Sequence, residues 1–203
     1  MKRIVTVTAN TTIDQTLLIP AYVPGQTIRA RQTVFSMGGK PTDVSYILGQ
    51  LGQPSLAIGF AAGTVGGRIR AILGSLGVEH DFVEVDGESR NNVLIYSESD
   101  GSHTTITTDS LQVGTEHIAV LSERLERSLD DAACVMLGGT LPRNVPASLY
   151  TDWIAAIRAR GVPVLFDADE PNLSAGLKSR PSFIKPNRDE IGRLIGRPVD
   201  TPE

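Results

Sequence analysis

The sequence predicts an α/β fold built on a mostly parallel sheet, and three features carry that prediction. Short β-branched or apolar runs ("RIVTVT", "SLAIGF", "ACVML", "VPVLFDA") alternate with segments whose apolar residues recur at helical spacing. Three of those helical segments stop at Gly52, Gly77 and Gly161, and glycine readily adopts the left-handed conformation that ends a helix. Strands joined through helices require right-handed crossovers, which make neighbouring strands parallel and cover the sheet on both faces. A chain of 203 residues, 40% hydrophobic and 21% charged, can bury one sizeable core, so residues 1–203 are expected to form a single domain.

Taken in order, "RIVTVT" opens as a strand, and "QTIRARQTVFS" has the alternation of an antiparallel ribbon with one wet face. The period changes at Pro41. Val44, Ile47, Leu48 and Leu51 fall at i, i+3, i+4 and i+7 and predict a helix ended by Gly52. "SLAIGF" follows as a strand, Val65 to Leu76 as a helix, and "DFVEV", "NNVLIYSE" and "HTTITT" as extended segments. The ribbon and the strand-rich middle, about residues 15–36 and about 82–108, are expected to form a small β lid or an antiparallel extension. Thr115 to Leu129 repeats Ile118, Leu121, Leu125 and Leu129 at helical spacing. Beyond it come "ACVML" as a buried strand, Ala147 to Arg160 as a helix, and two strands in "VPVLFDA" and "SFIKPN", the second leading into a helix from about Arg188 to Ile195.

A net charge of −4 and a pI near 5.4 provide no general field for nucleic acid or an anionic membrane, so neither is expected as a partner. Cys134 is the only cysteine and rules out an intrachain disulfide; its apolar setting reads as a buried thiol in a reducing compartment. No charged-then-apolar leader precedes the first strand and no apolar run is long enough to span a bilayer, which makes the cytoplasm the expected location. His80, His103 and His117 lack metal-ligand spacing, and no direct side-chain metal cluster is expected. "GTVGGRI" is a weak glycine pattern and no dinucleotide site.

The stretch "SMGGKPTDV" carries more chemistry. Gly38 and Gly39 remove side-chain obstruction, and Pro41 at the first helical position sacrifices no hydrogen bond. The free amides of a helix N-terminus favour an anion, and Lys40 adds a full positive charge beside them; the plain alternative is a turn that starts a helix. Asp43 competes for the same amides and offsets Lys40, so a phosphate would need a second cation. Arg90 in "GESRNNV" can supply it, its planar fork being suited to two oxyanion contacts, and its alternative is a surface arginine in a hairpin.

Six segments in order, "TANTTIDQT", "GGKPTDVSYILGQLG", "GESRNNVLI", "GGTLPRNVP", "VLFDA" and "FIKPNRDEI", resemble the phosphofructokinase-B type sugar kinases of the ribokinase superfamily, most closely the 1-phosphofructokinase and tagatose-6-phosphate kinase branch. The resemblance covers nearly the whole chain. It implies a three-layer α/β/α sandwich with a small β lid, and a complete protein that moves the γ-phosphoryl group of ATP, with Mg²⁺, onto a ketose phosphate. Asp14 then matches the aspartate that holds sugar hydroxyls, Gly38, Gly39 and Lys40 the substrate loop, and Arg90 the arginine that reaches the substrate phosphate. Asp43 stands where the family usually has asparagine, Pro41 and Thr42 where it has glycine and isoleucine, and Thr140 where it has a serine. Lys185, Asn187 and Glu190 of "KPNRDEI" match the segment near the ATP phosphates and the Mg²⁺ shell.

The glycine-alanine-glycine-aspartate segment that gives the family its catalytic base and anion hole does not occur in these 203 residues. The resemblance therefore implies the amino-terminal two-thirds of a kinase, with the C-terminal third absent, no catalytic base and no activity as given; the alternative is a non-catalytic sugar-phosphate-binding relic. Asp167 and Asp169, at the carboxyl end of a predicted strand, are the only substitute bases to weigh; the family has an aspartate equivalent to Asp167 in a position that is not the base, and nothing in the sequence replaces the missing amides. A homodimer through the β lid is also expected from the resemblance.

Overall fold

Strands buried on both faces need near-continuous apolar or small side chains, and the interior strands of the larger sheet have them. In the computed structural model, which describes residues 2–108 and 111–199, β1 (Arg3–Thr8), β4 (Ser55–Ala61), β5 (Glu79–Glu84), β10 (Ala132–Gly138), β11 (Val164–Asp167) and β12 (Phe183–Ile184) form one all-parallel sheet in the order β12-β11-β10-β1-β4-β5. β2 (Thr12–Ile19), β3 (Gln32–Gly38), β7 (Arg90–Ser97) and β8 (His103–Ile106) form a smaller sheet in the order β3-β2-β7-β8, with β2 and β7 parallel and the outer pairs antiparallel. β6 (Asp86–Gly87) and β9 (Leu111–Gln112) make a two-residue bridge.

The helices are α1 (Lys40–Gln50), α2 (Gly63–Ser75), α3 (Thr115–Ser128), α4 (Ser148–Ala159), α5 (Asn172–Leu177) and α6 (Arg188–Ile195). α3, α4 and α5 cover one face of the large sheet, where Leu121, Leu125, Trp153, Ile154 and Ile157 meet Val5, Val7, Phe60, Leu137 and Phe166. On the opposite face, Ile69 and Leu73 of α2 pack with Ala57, Phe82, Ile13 and Met37, and so join the two sheets. The result is the three-layer sandwich expected from the sequence. No helix among the described residues is long and apolar enough to cross a membrane.

Three readings of the sequence are corrected. Phe82–Glu84 of "DFVEV" belongs to β5, the edge of the parallel sheet beside β4, and not to an antiparallel extension. Within "QTIRARQTVFS" only Gln32 onward is strand, and its partner is Thr12–Ile19, which alternation alone did not mark because "TIDQTLLI" mixes polar and apolar residues on both faces. The core side of α1 is not its apolar stripe: Ile47 and Leu51 are exposed, whereas Pro41, Thr42 and Ser45 are buried. The helix lies so close over β1 that the residues between them are small and hydrogen-bonded, Ser45 Oγ to Thr6 Oγ1 at 2.8 Å and Thr42 Oγ1 donating to Thr8 Oγ1 at 2.7 Å.

Candidate functional site

The carboxyl ends of parallel strands leave backbone and side chains free to converge, and the chain uses that rim. β1 runs out through Asn10, β10 through Gly139 and Thr140, and β11 through Asp169. β3 delivers Gly39 and Lys40 to the same place and β7 begins there with Arg90. Together with Glu190 of α6 these residues border one hollow of about 150 Å³.

Arg90 is held in place by two threonines. Its Nε donates to Thr12 Oγ1 at 2.9 Å and its Nη1 to Thr140 Oγ1 at 3.1 Å, so the plane of the fork is fixed by groups from both sheets. Asn10 Nδ2 also reaches Thr140 Oγ1, at 3.4 Å. The fully buried Tyr150 donates to the carbonyls of Gly138 at 2.7 Å and Gly139 at 3.2 Å and pins the turn that carries Thr140. Burial, and then the charge of Asp169, push the Tyr150 phenol far above its ordinary value, so it stays a neutral donor.

The two glycines serve different ends. A side chain at Gly38 would stand 2.7 Å from Asp14 Oδ1, so Gly38 makes room for that carboxylate; Gly39 has φ +78° and turns the chain into α1. Asp14 lies on the same face of β2 as Thr12 and accepts from Asn92 Nδ2 at 2.8 Å, but it does not border the hollow.

Lys40 has a different setting from the one a simple cradle implies. Its ammonium donates to Asp167 Oδ1 and to Glu190 Oε1, each at 2.8 Å, and Lys185 Nζ donates to Asp167 Oδ2 at 2.8 Å. Asp167 is 2% exposed. Each of its oxygens already accepts from an ammonium group, which argues against its use as a base. Hydrogen bonds from Lys40 to the two carboxylates outweigh the loss of hydration and hold its ammonium above the usual lysine value. Glu190 Oε2 accepts from the backbone N–H of Asn187 while Asn187 Oδ1 accepts from that of Glu190, both at 2.8 Å, a reciprocal cap that starts α6.

A second hollow of about 430 Å³ is also lined by Lys40, with Asp43, Asp167 and Lys185 as its other charged residues and Met136 and Leu165 among its apolar ones. Cys134 also lines it and is half-buried, less enclosed than "AACVML" suggests. Loss of hydration and then the Asp14 carboxylate push the Asp43 carboxyl above the ordinary range. The folded state therefore binds that proton more tightly than the unfolded chain, and stability falls as pH rises from the ordinary carboxylate value through the raised one. Asp43→Asn is expected to match the parent below that window and to melt slightly higher above it, read from thermal midpoints at pH 3 and pH 7, taken as about the two ends of the window.

Of the residues picked out from sequence, Gly39, Lys40, Arg90, Thr140 and Glu190 meet at the smaller hollow; Asp43 and Lys185 meet Lys40 at the larger one; Asp14, Gly38 and Asn187 stand behind these walls. Asn10 was missed and Asp169 was weighed only as a base, although each follows the end of a parallel strand by two residues. Among the described residues no group of three or more His, Cys, Asp or Glu is placed to hold a metal ion.

Comparison with solved structures gives the same architecture. Phosphofructokinase-2 from Escherichia coli, in a tetrameric inhibited form, is similar at a TM-score of 0.84 and 26% identity, over 100% of this chain and 66% of that one. The same enzyme in complex with fructose-6-phosphate gives 0.85 and 26%, over 100% and 67%. A candidate 1-phosphofructokinase from Thermotoga maritima gives 0.83 and 28%, over 92% and 61%. The chain thus spans about two-thirds of the length of these relatives. The family description "pfkB family carbohydrate kinase" matches residues 2–203, and with the parallel sheet and the rim of glycines, threonines and charged residues it establishes that the chain belongs to the pfkB family of carbohydrate kinases.

Proposed function

We propose that this chain provides the sugar-binding half of an ATP-dependent phosphotransferase that acts on a ketose phosphate such as fructose 1-phosphate or tagatose 6-phosphate. The supporting observation is Arg90, a guanidinium oriented by Thr12 and Thr140 at the wall of a hollow also bordered by Gly39 and Lys40. That arrangement suits a phosphate at the arginine and hydroxyls along the rest of the wall. Asp14 and Asn92 extend the polar face one step along β2 and β7, and the smaller sheet serves as the lid.

The nucleotide side fits in part. Lys185, with its side chain 66% exposed, can reach a phosphate, whereas Asn187 and Glu190 hold each other, and Glu190 also holds Lys40; they suit contact with metal-bound water better than direct ligation. ATP with Mg²⁺, when bound, supplies the transferring group and offsets its charge. This chain's own residues bind and orient the sugar, but Asp167 is engaged by two lysines and the family's base segment does not occur in the 203 residues. Binding without turnover is therefore expected. Calorimetric titration with fructose 1-phosphate, tagatose 6-phosphate and fructose 6-phosphate should give heat in about the micromolar-to-millimolar range. An assay with ATP and Mg²⁺ should stay at background. Heat from none of the three sugars would defeat the reading, and turnover would show that a base has been overlooked. The engagement of Lys40 by two carboxylates also favours a second reading, a sugar-phosphate binder that does no chemistry even within a longer polypeptide.

A further inference from the structure

Asp169 has a place in the smaller hollow that neither the ion-pair network nor the fold accounts for. It follows β11 by two residues, and its backbone is anchored where Leu173 N donates to Asp169 O at 3.0 Å, at the start of α5. The side chain is half-buried and lines the hollow with Arg90, Thr140 and Asn10. Among the described residues its carboxylate makes no hydrogen bond or ion pair, whereas the two neighbouring acids, Asp167 and Glu190, have both oxygens engaged. Gly139, in the turn pinned by the buried Tyr150, borders the same hollow.

We propose that Asp169 is a specificity residue that accepts a hydroxyl of the bound sugar, in the same hollow whose wall carries Arg90 for the phosphate. The idea rests on the sugar-phosphate reading above. A half-buried carboxylate that faces a hollow can accept from a sugar hydroxyl, whereas it meets a second anionic group only with repulsion. Lys40 cannot offset that repulsion, because its charge is already matched by Asp167 and Glu190. The wall of the hollow thus carries both a cationic group suited to one phosphate and an anionic group suited to hydroxyls. It selects a phosphate carried on a polyhydroxylated group over a bare phosphate or pyrophosphate.

Calorimetry on the full 203-residue chain with three probes, fructose 6-phosphate, fructose 1-phosphate and inorganic phosphate, tests this for the parent, Asp169→Asn and Asp169→Ser. Removing the charge while keeping the size should weaken the sugar phosphate roughly tenfold and tighten inorganic phosphate by several-fold, so that selectivity falls by more than about tenfold. Serine, which keeps an acceptor oxygen without charge, should also tighten inorganic phosphate. A purely structural role for Asp169 would move both affinities in the same direction. If the parent binds a sugar phosphate and Asp169→Asn leaves the ratio unchanged, the proposal fails and the sugar-phosphate reading stands. If the parent binds neither sugar phosphate, both fail together.

Discussion

Arg90→Ala is expected to abolish most of the affinity for a sugar phosphate while the fold survives. The guanidinium is held by Thr12 from one side and Thr140 from the other, so its position at the wall is set before any ligand arrives. A pre-oriented fork loses little entropy on gripping an oxyanion. Truncating such a partner costs about 2–4 kcal/mol, or roughly 30- to 1,000-fold in affinity. Loss of structure should be small, because Thr12 Oγ1 keeps its bond to Asn10 O at 3.2 Å and the backbone bond from Arg90 N to Thr11 O does not depend on the side chain. Calorimetry with fructose 1-phosphate or fructose 6-phosphate, with a melting curve as control, reads both consequences. Arg90→Lys should recover only part of the affinity, since a point charge cannot bond two threonines and a phosphate in one plane. Unchanged affinity in Arg90→Ala would reduce Arg90 to a clamp between the sheets.

The largest effect on stability is expected at Gly138. A methyl group there would overlap the carbonyl oxygen of Asp167, its partner on the adjoining strand β11. Backbone cannot step aside as a flexible side chain can, and that same carbonyl receives the Gly139 N–H at 2.8 Å. Gly138→Ala should therefore cost about 3 kcal/mol or more, from overlap and backbone strain together. At roughly 2–4 °C per kcal/mol for a chain of this size, the midpoint should fall by at least about 6 °C. Gly67→Ala is the matched control: Gly67 lies within α2 with nothing near its added methyl, and helix propensity alone should leave that variant equal to or slightly more stable than the parent. Equal melting of the two variants would mean that the strand contact at Gly138 is not tight.

Much of this fold was legible because burial on both faces leaves a plain mark. "SLAIGFA" reads as an interior strand and is one, with all seven residues buried. The expected helix from about Arg188 to Ile195 matches α6, and the structure adds the reciprocal cap of Asn187 and Glu190 that starts it. α1 shows where the reading stopped. Its apolar stripe was real, but close packing over β1 favours small residues, so Thr42 and Ser45 turned inward and Ile47 and Leu51 outward. Pairing was harder to see: that Thr12–Ile19 runs parallel to Arg90–Ser97 depends on segments 78 residues apart, and no local pattern encodes it. The site divided in the same way. Gly39, Lys40 and Arg90 stood out by type and position and Thr140 through the family resemblance, but the partners of Lys40, 127 and 150 residues away, could be found only in three dimensions.

The passages between the two sheets have a mechanical consequence. The chain passes from the large sheet to the small one through Ala9–Thr11, leaves the small one at Gly39, and returns to it through Val85–Ser89. Asn10, Gly39 and Arg90 each sit on or beside one of these passages. A swing of the small sheet as a rigid flap would sweep its remote corner, near Ile19 and Tyr96, through the widest arc and displace these three hardly at all. A ligand bound by these three would lie near the pivot of such a swing, and the gap would open at the outer edge.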